Sequence, residues 1–187
     1  MAPETRISIE NSQLLQIPDY IKYFNESKLE GARSNNRYSG TCVYTKLTPI
    51  NVEYSIPEYD DNEGRIIILY FENDLIVVNV YTPNSGTNFE NRLKWQSAFL
   101  KFLIKNKDKK VIYCGDMNVA YRPEDIHFNY KGGSTYKKKT ENIVGYLPEE
   151  REFVNQLISN EYKDAYLEVN NVSYENPEDF PGFSWWD

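Results

Sequence analysis

Several residue types that define common classes of protein are scarce in this sequence of 187 residues. It contains one histidine and two cysteines, and no apolar stretch is long enough to cross a membrane, so a membrane partner is not expected. Cys42 and Cys114 both lie inside apolar, strand-like segments, which favours buried thiols in a reducing, intracellular compartment over a disulfide. The single histidine, His127, lies in a predicted loop, where a lone histidine is most often structural, and we do not interpret it as catalytic.

Basic residues are also in the minority. The formal net charge is −7, and a negative charge by itself argues against a nucleic-acid partner. The distribution is uneven, because residues 90–140 carry 12 basic and 5 acidic side chains whereas the segments on either side are acidic. A basic segment between acidic ones could face a phosphate backbone, or it could be the solvated face of a lysine-rich helix and loop. Charge alone leaves both interpretations open.

Strand patterns fill much of the first two thirds of the sequence. Residues 41–47 are rich in residues that favour strands. Residues 65–71 and 75–81 are continuous apolar runs, which predict strands buried on both faces, and the short polar segment between them predicts a hairpin turn. Residues 111–114 predict a further short, buried strand.

Helical patterns alternate with these strands. Apolar residues recur at helical spacing over residues 88–106, and Thr87 with Glu90 fits a capping box at the start of that helix. Pro148, followed by two acidic residues, predicts the start of another helix. The alternation indicates an α/β sandwich, which we expect to form one domain over residues 1–187, with its chemistry at strand ends.

Two of the predicted strands end in polar clusters. One cluster runs from Tyr81 to Asn84, and the other contains Asp116 and Asn118. Side chains two residues apart at a strand end can point the same way, because side chains alternate along a strand. Asp116 could then accept a proton from a water molecule that Asn118 orients. Gly, Asp and Asn are also common in simple turns, so this cluster alone does not identify a site.

A longer series of short motifs resembles the exonuclease III/AP endonuclease family. Residues 115–119 (GDMNV) resemble the family's G-D-[LFM]-N-V, and residues 81–86 (YTPNSG) resemble its Y-x-P-N-[SA]-G. Six further segments match in the same order and at plausible spacing: residues 37–41, 63–65, 92–99, 125–127, 148–151 and 184–186. No single motif is decisive, but the complete series is highly specific.

The resemblance implies both a fold and an activity. The fold would be the four-layer, DNase I-like α/β sandwich of the endonuclease/exonuclease/phosphatase superfamily. The activity would be that of a metal-dependent DNA phosphodiester hydrolase of base-excision repair, an apurinic/apyrimidinic endonuclease that could also have 3′-exonuclease activity. The implied cofactor is Mg²⁺, with Mn²⁺ as an alternative. The implied partner is double-stranded DNA with abasic sites, bound by a monomer.

The resemblance also implies catalytic and metal-binding residues. Tyr81 would contact the scissile phosphate. Asp116 would activate or orient the attacking water, and Asn118 would help to position water and phosphate. Glu4 would be a metal ligand, although a proline precedes it where the family has glutamine.

Further residues would bind the substrate. They match family positions that contact DNA or its phosphates: Tyr38, Asn84, Arg92 and Trp185. Asn84 would donate to a phosphate oxygen, and Trp185 would help to form the pocket for an extruded abasic sugar.

Two segments of the family pattern have no counterpart in this sequence. One is an N-terminal strand that ends in a metal-site asparagine, and the other is a C-terminal segment with an Asp–His pair. We therefore expect a sandwich that is incomplete at its N- and C-terminal strands, and little activity from the 187 residues alone. Two alternatives stay open: a related phosphoesterase that acts on inositol phosphates or lipids, and an inactive fragment.

Overall fold

The computed structural model describes residue 5 and residues 9–28, 39–86, 88–126 and 143–170. The chain divides into two compact units, Met1–Asn118 and Val119–Asp187. The expectation of a single domain over residues 1–187 stays a prediction.

The first unit contains two β-sheets. Its described strands and helices are Ile9–Ser12 (α1), Ile21–Asn25 (β1), Thr41–Thr45 (β2), Asn51–Glu53 (β3), Ile66–Tyr70 (β4), Leu75–Tyr81 (β5), Phe89–Lys105 (α2) and Lys110–Asp116 (β6). Strands β1 and β2 pair antiparallel in one sheet. The other sheet has the order β3-β4-β5-β6, in which β5 and β6 are parallel and the other neighbours are antiparallel.

Strands β4 and β5 are mostly apolar, with Asn79 as a buried polar residue in β5, and both faces of their sheet are covered. On one face, the Phe99 ring of α2 packs edge-on against Tyr113 of β6, with ring centroids 4.9 Å apart. On the other face, Val43 of β2 packs against Ile67 and Leu69 of β4. The layers of this unit therefore run helix, four-stranded sheet and two-stranded sheet, and the predicted strands over residues 65–71, 75–81 and 111–114 are confirmed. The predicted burial of the strand over 111–114 is wrong, because β6 is the outer strand of the described sheet and Ile112 is 52% exposed.

Helix α2 confirms the helix predicted over residues 88–106, but its cap differs from the prediction. The N-cap residue is Asn88, whose side-chain oxygen accepts a hydrogen bond from the backbone N–H of Asn91 at 3.0 Å. The predicted capping box at Thr87 and Glu90 is therefore wrong by one residue. Glu90 instead pairs with Lys94 at 2.7 Å, one turn further along the exposed side of the helix.

The regular elements described in the second unit are all helical. It contains a 3₁₀ turn, Pro123–Asp125, and the helices Pro148–Ser159 (α3) and Ala165–Asn170 (α4). Helix α3 begins at Pro148 as predicted, and the Glu150 carboxylate accepts the backbone N–H of Leu147 at 2.8 Å. Phe153 and Leu157 form its buried apolar stripe.

The cysteines agree with the prediction of free thiols rather than a disulfide. Both thiols are free: Cys42 is buried in β2, and Cys114 is partly buried in β6. Burial raises the pKa of each thiol above its ordinary value. Across the described ranges, the helices are too short or too polar to cross a bilayer.

Candidate active site

The two polar clusters meet at one edge of the four-stranded sheet. Because β5 and β6 are parallel, their carboxyl ends lie at the same edge, and Tyr81 is the register partner of Asp116. The backbone N–H of Thr82 donates to the Asp116 carbonyl at 2.9 Å, which extends the pairing one residue beyond Tyr81. Neighbouring strands lie about 4.8 Å apart, and paired residues project from the same face of the sheet. The structure thus brings Tyr81 and Asp116 together.

Gly115 permits this close approach. Its φ of +118° lies in a region that L side chains rarely adopt, and a Cβ atom built on it would lie 2.0 Å from the carbonyl oxygen of Val80. The glycine before Asp116 therefore has a packing role between the two strands, and it lies inside β6 rather than in a turn.

The loop after β6 is held in a defined conformation. Asn118 has a φ of +46°, in the left-handed region that asparagine tolerates. Its backbone N–H donates to Asp116 Oδ1 at 2.8 Å, and its side-chain Nδ2 donates to the Thr82 carbonyl at 2.7 Å. These bonds orient both side chains. The Asn118 N–H fixes the Oδ1 atom of the Asp116 carboxylate, and the bond donated by Asn118 Nδ2 makes the Oδ1 atom of Asn118 the acceptor end of its amide.

Asn84 lies in the loop after β5. Its side-chain oxygen accepts a hydrogen bond from the backbone N–H of Gly86 at 2.8 Å. The side chain is half-buried, and this bond makes its Nδ2 group the donor end of the amide. An amide donor of this kind suits a phosphate oxygen.

Arg65 is a site-supporting residue that the sequence analysis did not single out. It is 1% exposed, its guanidinium lies 4.7 Å from the centroid of the Tyr81 ring, and its Nη1 donates to the Tyr81 carbonyl at 3.0 Å. Glu63 pairs with its Nε at 2.6 Å. The signal in the sequence was a charged residue at the start of the apolar run 65–71, two positions after an acid, which is the pattern of a buried and paired arginine.

Arg92 is buried, whereas a residue that contacts DNA has to be exposed. It is 0% exposed, and its guanidinium donates to backbone carbonyls of the two site loops. A side chain with no exposed surface does not reach a phosphate of bound DNA, so the predicted direct contact is wrong. The sequence contained the signal, because Arg92 lies three and seven residues before Trp95 and Phe99, on the buried stripe of α2.

The remaining predicted residues lie outside the part of the chain that the structure describes. They are Glu4, Tyr38 and Trp185, together with the histidine that we set aside, His127. Their roles stay predictions.

The backbone next to Glu4 is nevertheless anchored near Tyr81. The N–H of Thr5 donates to the Gly40 carbonyl at 3.0 Å, and the N–H of Gly40 donates to the Glu63 carbonyl at 3.2 Å. Glu63 in turn pairs with the arginine that covers the Tyr81 ring. This chain of contacts places residue 5 at the sheet edge that carries the candidate site.

The described lysines of the basic segment are exposed, and several of them form ion pairs. Lys94 pairs with Glu90, and Lys101 pairs with Glu58 at 2.5 Å. Lys110 is the register partner of Leu75, at the opposite edge of the sheet from Tyr81 and Asp116. The two interpretations of the basic segment therefore both stay open.

The oxygen donors at the site suit a hard divalent cation. Within the described ranges, no three His, Cys, Asp or Glu side chains cluster as a metal site. Asp116 nevertheless presents an exposed carboxylate, and Asn118 an amide oxygen, at the end of β6. Mg²⁺ prefers oxygen ligands, keeps several of its own waters and needs only one or two carboxylates. The residues present fit such an ion.

Comparisons with known proteins cover nearly the whole chain. The Endonuclease/Exonuclease/phosphatase family pattern matches residues 4–186, across both units. Exodeoxyribonuclease of Bacillus subtilis (strain 168) is 35% identical over 184 residues, which are 95% of this chain and 65% of the relative. The DNA-(apurinic or apyrimidinic site) endonuclease of Dictyostelium discoideum is 34% identical over 175 residues, 89% of this chain and 44% of the relative. The chain thus spans less than two thirds of the length of either relative.

Solved structures show the same fold. An AP endonuclease from Archaeoglobus fulgidus aligns with a TM-score of 0.67 at 20% identity, covering 92% of this chain and 66% of that one. The 3′-5′ exonuclease NExo from Neisseria meningitidis aligns with a TM-score of 0.69 at 18% identity, covering 90% and 63%. The predicted DNase I-like α/β sandwich and the resemblance that implied it are confirmed. The chain belongs to the endonuclease/exonuclease/phosphatase family.

Proposed function

We propose that this chain acts in hydrolysis of the DNA phosphodiester backbone at abasic sites, with 3′-exonuclease activity in the same site. The observation that carries the proposal is the pairing of Tyr81 with Asp116 at one sheet edge, with Asn84 and Asn118 in the loops that follow. The names of the relatives, an exodeoxyribonuclease and an apurinic or apyrimidinic site endonuclease, support the substrate class.

The end of β6 would handle the attacking water. Asp116 would accept a proton from the water or orient it, and the Oδ1 atom of Asn118 would accept the water's other hydrogen. The bond from the Asn118 N–H to Asp116 Oδ1, at 2.8 Å, holds the carboxylate before substrate arrives. A group that is already oriented saves the entropy of ordering it during the reaction.

The end of β5 would hold the phosphate. The Tyr81 hydroxyl and the Nδ2 group of Asn84 are donors that would bind oxygens of the scissile phosphate, where negative charge increases as the bond to the attacking oxygen forms. Arg65 contacts both the ring and the backbone carbonyl of Tyr81. These two contacts would fix the direction of the Tyr81 hydroxyl.

A divalent metal ion would complete the site. Glu4 would hold Mg²⁺, or Mn²⁺ in its place, close to Asp116, whose carboxylate suits such an ion. When bound, the ion supplies Lewis-acid stabilisation of the charge on the phosphate oxygens. Because Glu4 lies outside the described residues, its ligand role rests on the matching family motif and on the anchoring of Thr5 at the same edge.

The proposed partner is double-stranded DNA that contains an abasic site, bound by a monomer inside the cell. Trp185 would line the pocket for the extruded sugar, and Tyr38 would contact the backbone beside it. Both roles rest on the matching family positions alone.

A single-turnover incision assay tests the proposal. The protein is placed in excess over an end-labelled duplex with one abasic analogue, so that slow cutting is still detected, and an undamaged duplex of the same sequence is the control. We expect a single cut at the abasic position that requires Mg²⁺ or Mn²⁺ and disappears with a chelator. A labelled duplex with a recessed 3′ end should shorten under the same conditions.

Two outcomes would count against this function. If neither DNA is cut above the chelated background, the chain does not carry the activity. If it instead releases phosphate from inositol phosphates, the related phosphoesterase function is the correct one.

A further inference from the structure

One buried guanidinium joins the two loops of the candidate site. Arg92 Nη1 donates to the Pro83 carbonyl at 2.8 Å and to the Asn118 carbonyl at 3.3 Å. Its Nη2 donates to the Met117 carbonyl at 3.3 Å. Pro83 belongs to the loop after β5, whereas Met117 and Asn118 belong to the loop after β6. The same side chain therefore bridges both strand ends.

The backbone and the Nε atom of Arg92 are held by hydrogen bonds along α2. The backbone N–H of Arg92 donates to the Asn88 carbonyl at 3.1 Å, within the first turn of the helix. Its Nε donates to Gln96 Oε1 at 2.5 Å, one turn further along, and the side chain is 0% exposed. A guanidinium presents its N–H donors in a rigid planar fork, which suits several acceptors held at fixed positions.

The bridged residues adjoin the groups proposed to contact substrate. Pro83 immediately precedes Asn84, and Asn118 is itself a proposed site residue. A fixed guanidinium between the two loops sets the separation of the phosphate-binding end of β5 from the water-binding end of β6. Catalytic rates are sensitive to that separation, since a displacement of about 1 Å can lower a rate about 10²-fold.

We propose that Arg92 is a positioning residue that clamps the Pro83–Asn84 loop to the Met117–Asn118 loop. The effect of this clamp on the rate of DNA incision rests on the proposed function of Asn84 and Asn118. The clamp itself is a property of the protein without DNA. Arg92 therefore acts through the loops and contacts no DNA.

Arg92→Lys is the informative substitution. Lysine keeps the positive charge and much of the side-chain volume, but its single ammonium group cannot reproduce the planar fork of donors. Lys94→Arg, on the exposed face of the same turn of α2, is the matched control, because it changes the same pair of residue types away from the loops.

Amide hydrogen exchange in the absence of DNA tests the clamp directly. The reporters are the N–H of Asn118, bonded to Asp116 Oδ1, and the N–H of Thr82, bonded to the Asp116 carbonyl. In Arg92→Lys we expect both to exchange about tenfold faster, while the N–H of Val78 in the centre of β5 changes by less than about twofold. Lys94→Arg should leave all of them unchanged.

Two exchange results would overturn the proposal. Wild-type rates at Asn118 and Thr82 would show that Arg92 does not order the loops. Equal acceleration at Val78 would show that Arg92 only supports the fold as a whole. If Arg92→Lys does not fold, Gln96→Met decides, because it removes the acceptor of Arg92 Nε: faster exchange confined to the two loops supports the clamp, and wild-type exchange overturns it.

Single-turnover incision of the abasic duplex with Mg²⁺ tests the consequence for the reaction. In Arg92→Lys we expect the rate at saturating protein to fall about tenfold or more, with an unchanged Kd for DNA. A weakened Kd with an unchanged saturating rate would instead show a direct DNA contact and overturn the positioning role. If the wild-type chain cuts no DNA at all, the proposed function fails, and the exchange measurement alone decides whether the clamp exists.

Discussion

Replacing Gly115 with alanine tests whether the pairing of β5 with β6 defines the site. The added Cβ would lie 2.0 Å from the Val80 carbonyl oxygen and 2.9 Å from the Val80 nitrogen. Non-bonded heavy atoms normally come no closer than about 3.5 Å. The two strands therefore have to separate by more than about 1 Å at this point, immediately before Asp116.

The expected loss of stability has two parts. Holding alanine at the φ of +118° that Gly115 adopts costs about 1–3 kcal/mol in backbone strain. Separating the strands weakens the hydrogen bond from the Thr82 N–H to the Asp116 carbonyl, a bond of the kind that contributes about 1 kcal/mol. We expect the free energy of unfolding to fall by about 3 kcal/mol in total.

Urea unfolding followed by circular dichroism measures this change. Gly86→Ala is the matched control, because Gly86 is exposed, lies in the loop after β5 and has no positive φ, so its stability should change little. The folded fraction of Gly115→Ala should also cut an abasic duplex about 10²-fold more slowly, since Tyr81 and Asp116 no longer face each other. Wild-type stability together with a wild-type cutting rate would refute this reasoning.

Three further predictions concern the phosphate contact, the thiols and the lysines. Tyr81→Phe should slow single-turnover incision about 10²-fold without changing thermal unfolding, because it removes only the hydroxyl, and a rate within about twofold of wild type would contradict the phosphate contact. Cys42 and Cys114 have thiol pKa values raised by burial, so the thiolate fraction at neutral pH is low; iodoacetamide should alkylate them at least about tenfold more slowly in native protein than in urea, and equal rates would contradict their burial. Lys101→Ala should leave the Kd for abasic DNA and its salt dependence unchanged, whereas a drop of about 1 in the salt slope would place DNA along α2.

The strands and their polar ends could be predicted from the sequence because their causes are local. Continuous apolar runs at residues 65–71 and 75–81 indicate a sheet covered on both faces, and the structure has that sheet. Parallel strands joined through a helix end at the same edge, so the convergence of Tyr81 and Asp116 follows from the order of the elements.

The environment of the arginines could not be predicted as readily. Arg92 and Arg65 are charged, and charged residues are usually exposed, so the family motif suggested a DNA contact for Arg92 and no site role for Arg65. Arg92 is buried because backbone carbonyls of the two site loops accept its donors, and Arg65 because the Tyr81 carbonyl and the Glu63 carboxylate accept its donors. These acceptors come together only in the folded chain. Helical spacing with Trp95 and Phe99 was the local signal that Arg92 faces inward.

The N-cap residue of α2 could also not be predicted from the sequence. Threonine and asparagine are both good N-caps, and they are adjacent at residues 87 and 88, so the sequence offers two starts one residue apart. The structure uses Asn88, whose side-chain oxygen accepts the N–H of Asn91.

The most direct test of the central claim, that the edge carrying Tyr81 and Asp116 is the catalytic site, is the single-turnover incision rate of Asp116→Asn on an abasic duplex with Mg²⁺. Asparagine keeps the shape of the side chain and an acceptor for the Asn118 N–H, a bond of 2.8 Å in the wild type, so the loop should stay in place. It removes the negative charge that would take up a proton or hold the water. We predict a rate about 10²–10⁴-fold lower with unchanged DNA affinity and thermal unfolding. A rate close to that of the wild type would contradict the account and place the chemistry elsewhere in the molecule.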